Sequence, residues 1–128
     1  MEEFVYIIES PSDEDLLDGR TEGRVLAEAL DLAGIDYSYS LVTTEKSLEI
    51  ALYERLAEAI NSHNKSPILH FSGHGNSQSL GLTDHTTLPW DELGNLLLPI
   101  KQELGELLIC MFSCHGSFTK EMAKQKYR

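Results

Sequence analysis

Apolar and polar positions change period several times along the chain, and each change marks an element. Phe4-Val5-Tyr6-Ile7-Ile8 is a short β-rich run closed by Ser10-Pro11, the pattern of a strand buried on both faces. Ser12 to Gly19 is polar and predicts a loop or a loose helical turn. From Thr21 the period becomes helical, with Val25, Leu26, Ala29, Leu30 and Ala33 as the apolar stripe and Gly34 as a left-handed stop. Residues 35–43 (IDYSYSLVT) alternate and predict a second strand. Thr44 or Ser47 caps the next helix, whose apolar face is Leu48, Leu52, Leu56 and Ile60.

Pro67-Ile68-Leu69-His70-Phe71 predicts a third buried strand, and the glycines on either side of His74 predict a sharp turn after it. Leu80, Leu82 and Asp84 suit a small β excursion. Pro89 opens a helix carrying Leu93, Leu97 and Ile100, which Pro99 kinks or ends. Residues 107–112 (LLICMF) form the fourth and most apolar strand, residues 113–116 (SCHG) turn out of it, and residues 118–126 predict a short basic helix. Strands alternating with helices define an α/β fold with a mostly parallel sheet and crossover helices. In such sheets sites form beyond the carboxyl ends of the strands. His74 follows the third strand and Cys114 the fourth.

Composition bounds the rest. The chain has 128 residues, 41% apolar and 24% charged, which is one ordinary globular domain over residues 1–128. Residues 1–60 hold 15 acidic and 4 basic side chains, whereas residues 61–128 hold 6 of each, so the whole net charge of -11 lies in the first half. That half reads as solvated helix faces, and its charge repels phosphate, which argues against nucleic acid as a partner. No apolar stretch approaches the ~18–20 residues of a membrane span, so no membrane partner is expected. MEEFVYIIES lacks the basic region and cleavage site of a signal peptide, so the expected compartment is the cytoplasm. Two cysteines are too few for a disulfide framework.

A thiol in that setting is a buried hydrophobe, a metal ligand or a nucleophile. Cys114 with His74 is the minimum kit for acyl transfer, since an imidazole lowers a thiol pKa and shuttles its proton. Glycines beside both groups let a peptide approach closely, and the N–H groups of Gly75 and Cys114 suit an oxyanion. Zinc on His70, His74, Cys110 and Cys114 is disfavoured: four strand residues span about 13 Å, while zinc ligands converge to ~2.0–2.3 Å from the metal. No cofactor or metal is therefore expected, and no GxGxxG or GxxxxGK[ST] motif occurs. His70 and Cys110 read as core, His63 and His85 as surface. Asp84 has two readings, a partner for an imidazole or a basic substrate group, or the cap of the turn before Thr87.

ILHFSGHG, followed about 40 residues later by LLICMFSCHG, resembles the caspase-like cysteine proteases, with metacaspases and CHAT-type members as the nearest look-alikes. The likeness covers roughly residues 4–126. It implies a three-layer caspase-like sandwich, a catalytic His74, a nucleophilic Cys114 and an oxyanion donor at the Gly75 N–H. His115 also has a counterpart in the family motif, as an accessory that tunes the thiol or merely stands exposed. The resemblance implies a thiol endopeptidase, a hydrolase that cleaves a protein or peptide substrate through an acyl-enzyme.

Two departures qualify what carries over. Metacaspases place an Asp two residues before the nucleophile, where this chain has Phe112, so a basic-residue specificity does not transfer. The resembled fold also continues for two further strands, whereas this chain ends 14 residues after Cys114. The expected consequence is a minimal or C-terminally incomplete domain that a second copy or an activating partner protein completes. The alternative is a catalytically silent caspase-like module for binding or assembly.

Overall fold

The computed structural model describes residues 2–19, 21–76 and 78–112. The strands are β1 (Glu3–Ser10), β2 (Tyr37–Leu41), β3 (Ser66–Gly75), β4 (Ser79–Gly81), β5 (Thr87–Pro89) and β6 (Leu108–Phe112). The helices are α1 (Asp13–Asp18), α2 (Glu22–Ala33), α3 (Glu45–Ile50), α4 (Leu56–His63) and α5 (Trp90–Leu104), with a π-helical turn at Ala51–Arg55 joining α3 to α4. The protein is α/β with a six-stranded mixed sheet. β2, β1, β3 and β6 run parallel in that order, which is the part the apolar runs predict. The short β4 and β5 add antiparallel pairs beyond the end of β3, so the sheet is mixed.

Strand alternation divides the side chains between the sheet faces. Phe4, Tyr6 and Ile8 of β1 and Leu69 and Phe71 of β3 share one face with Leu48, Leu52, Leu56, Leu93 and Leu97 from the helices, all buried in one core. These helical positions match the predicted stripes. Burying a leucine or phenylalanine side chain stabilises by roughly 1.5–3 kcal/mol, so this face carries the fold. The opposite face is polar toward the carboxyl end of the sheet, where Glu9 and Ser72 are register partners and both buried.

α2 covers that second face, and here the predicted apolar stripe holds only in part, with Leu26 and Leu30 half-buried. Val25, Ala29 and Ala33 point outward, with Val25 65% exposed. Polar contacts set the rotation of the helix instead. The Gly23 N–H donates to Glu9 Oε2 at 2.7 Å, and Glu22 Oε1 meets His70 Nε2 at 3.1 Å. Glu9 therefore satisfies a free N–H of the first helical turn that the cap residue Thr21 leaves open. A Cβ on Gly23 would stand 2.7 Å from the Glu9 carboxyl, so the carboxylate needs glycine there.

Three further expectations change. The Ser12–Gly19 stretch contains α1, capped by the Ser12 hydroxyl on the Asp15 N–H. Pro99 does not end α5, which runs on to Leu104. Pro99 and Asn95, whose carbonyl loses its donor, both lie on the solvent-exposed side of the helix. β3 also passes straight through Gly73, His74 and Gly75 without turning. Gly73 is required by proximity: a Cβ there would lie 2.9 Å from the Ser10 carbonyl oxygen of β1. No helix among the described residues is long and apolar enough to cross a membrane.

Candidate functional site

His74 stands near the carboxyl end of β3, where the strand has outrun its parallel neighbours and pairs with β4 at His74–Gly81 and Gly75–Leu80. β6 ends beside it, with Phe112 in register with Ser72. Cys114, His115 and Gly116 lie outside the described residues. The His74 Nε2 lies 2.9 Å from Asp15 Oδ2, with the histidine side chain 51% exposed. The hydrogen bond from His74 holds the Asp15 carboxyl below the ordinary carboxylate range.

α1 makes this contact because its root is pinned. Thr83 donates its N–H to Ser10 Oγ at 3.0 Å and its hydroxyl to the Pro11 carbonyl at 2.6 Å, both buried. Ser12 then caps the helix and directs Asp13 and Asp15 toward the β3–β5 end of the sheet. Asp13 Oδ2 meets His85 Nε2 at 2.9 Å, a second carboxylate–imidazole pair. His85 has φ of 72°, the left-handed region that non-glycine residues seldom adopt. The two histidines share a pocket of about 220 Å³, lined by Ser10, Ser12, His74, Leu82, Thr83 and His85 among others.

The remaining predicted residues fall as follows. Gly75 sits in β3 opposite Leu80, one residue beyond His74. Among the described residues Asp84 makes no hydrogen bond to an imidazole: its Oδ1 accepts the Thr86 N–H at 3.1 Å and the Thr86 hydroxyl at 2.5 Å. Those bonds hold its carboxyl below the usual range and make it the organiser of the turn before Thr87. His70 and Cys110 are register partners on the α2 side of the sheet. Cys110 is exposed, which corrects its assignment to the core. His63 is no free surface histidine either, for it packs its ring 4.5 Å from that of Phe4 and bonds Ser38. Among the described residues no group of three or more His, Cys, Asp or Glu side chains converges as metal ligands.

Two features escaped the sequence. Glu9 reads as the polar end of an apolar strand, yet it is buried and accepts from Gly23, Tyr39 and Ser72. Asp15 reads as one acid in a polar stretch, and its partner is 59 residues away. The Ser12 cap preceding acidic residues was the one local signal, since it marks a helix whose first turn faces a fixed direction. No family model, curated protein or solved structure matches the chain.

Proposed function

We propose that the chain is a caspase-like cysteine endopeptidase domain. In this reading the Cys114 thiol gives its proton to His74 and the thiolate attacks the scissile carbonyl. The oxyanion takes the Gly75 N–H, the imidazolium protonates the leaving amine, and water then hydrolyses the thioester through the same imidazole. The finer fold assignment, a three-layer caspase-like sandwich, belongs to this proposal too. So does a second copy or an activating partner protein as a contributor to the substrate pocket.

One observation supports it most: a half-exposed histidine, partnered by a carboxylate, at the carboxyl end of a parallel strand whose neighbour β6 leads within two residues to Cys114. That is where open α/β sheets build their sites. The test is cleavage of a diverse peptide library by the purified chain, alone and at concentrations that favour self-association. Cleavage that disappears in Cys114→Ala and in His74→Ala is the expected result. Peptide binding or self-association with no cleavage under either condition refutes the peptidase and leaves the assembly module.

A further inference from the structure

α1 is six residues long and has no fully buried side chain, with Leu16 half-buried and Leu17 88% exposed, so apolar packing contributes little to its placement. Polar contacts place it. The buried Ser10–Pro11–Thr83 network holds its root, and the Ser12 hydroxyl takes the Asp15 N–H at 3.1 Å. The Asp15 backbone is thereby fixed with its carboxylate 2.9 Å from His74 Nε2. Asp13, two positions earlier, is drawn off to His85, which leaves Asp15 as the carboxylate bonded to His74.

We infer that Asp15 is the positioning residue of His74: its carboxylate accepts the Nε2–H, which fixes the tautomer and leaves the Nδ1 lone pair as the base for the proposed nucleophile. The inference rests on the proposed role of His74. Which ring nitrogen carries the hydrogen in a neutral histidine is set by the partner of the other nitrogen. A carboxylate accepts only, so it selects the Nε2–H form and leaves Nδ1 as the base. When Nδ1 takes the Cys114 proton, the ring becomes an imidazolium with both nitrogens protonated, and the thiol becomes a thiolate. Asp15 stays ionised throughout and stabilises the ring charge. The carboxylate thus acts on the thiol only through the imidazole.

The test is the alkylation rate of Cys114 by iodoacetamide near neutral pH, in a Cys110→Ser background so that the exposed second thiol does not report. His74→Ala is expected to slow the reaction about tenfold and Asp15→Ala about three- to tenfold, as loss of the base and then of its orientation. Asp15→Asn should behave like Asp15→Ala, and adding Asp15→Ala to His74→Ala should slow the reaction no further. Asp13→Ala loosens the same helix through the other histidine and should leave the rate unchanged. Nitrogen NMR of His74 supplies a readout free of the thiol: the neutral ring is in the Nε2–H form, and Asp15→Ala makes it a mixture.

A slow His74→Ala with a normal Asp15→Ala overturns the positioning role and leaves the Cys–His pair standing. An Asp13→Ala as slow as Asp15→Ala also overturns it, since anchoring of α1 would then explain both. A normal rate in His74→Ala removes the proposed role of His74 and this inference with it.

Discussion

The Glu9 carboxylate and the Gly23 N–H meet at 2.7 Å beneath the first turn of α2, closing a buried polar joint between sheet and helix. Ser72 and Tyr39 donate their hydroxyls to the same carboxylate at 3.1 and 2.5 Å. A buried carboxylate without donors would be strongly unfavourable, so this set of bonds is what permits Glu9 there. Gly23→Ala inserts a Cβ 2.7 Å from the Glu9 carboxyl. We expect a loss of about 1–3 kcal/mol in urea unfolding, despite the better helix propensity of alanine.

The Tyr39 phenol is pushed up to about 12, first by burial and then by its bond to Glu9. The folded state thus holds the phenol proton more tightly than the unfolded chain does. Its stabilising contribution is full below pH about 10 and is lost as pH rises through the folded value of about 12. Spectrophotometric titration should show Tyr39 among the late-ionising phenols, because burial also raises Tyr6 and Tyr53. In Glu9→Gln Tyr39 should ionise at lower pH, and a titration unchanged from wild type would contradict the pairing.

Asp15 responds in the opposite direction. Its carboxyl lies below the ordinary value because His74 bonds it. The carboxylate supports the fold above the ordinary carboxylate pKa, and this support is lost as pH falls through the lowered value. Carboxyl-carbon NMR of His74→Gln should find the Asp15 titration moved up toward the ordinary range. The Asp36 carboxyl, lowered chiefly by its hydrogen bond from Lys65, should stay where it is.

The two faces of the sheet should differ in cost. Leu69 is fully buried in the core, whereas Leu108 on β6 is 54% exposed on the other face. Leu69→Ala is expected to cost about 2–5 kcal/mol in chemical unfolding and Leu108→Ala about 1 kcal/mol or less. Equal losses would mean that the α2 side of β6 is covered as tightly as the core.

What could be read from the sequence follows from how local each cause is. The strands at Phe4–Ile8 and Leu108–Phe112, and the helix faces of Leu48, Leu52 and Leu56 and of Leu93, Leu97 and Ile100, are legible because hydrophobic period reports burial directly. α2 misleads in part because its rotation is set by Glu9 and His70, which come from two different strands, rather than by its own leucines alone. The glycine at 73 misleads for a similar reason. Its need arises from the Ser10 carbonyl, and spacing alone cannot tell close approach from a turn. At the candidate site, His74 at the strand end was legible, whereas Asp15 and the His85–Asp13 pair required the fold to bring distant residues together.

The central claim is that Cys114 is a nucleophile served by His74. Its most direct test is covalent labelling with a peptide bearing a thiol-directed electrophile, followed by mass-spectrometric mapping of the adduct. The account predicts one adduct, on Cys114, that is formed by the native chain and falls away in His74→Ala. Equal labelling of Cys110 and Cys114, or labelling of Cys114 that is indifferent to His74, would contradict it.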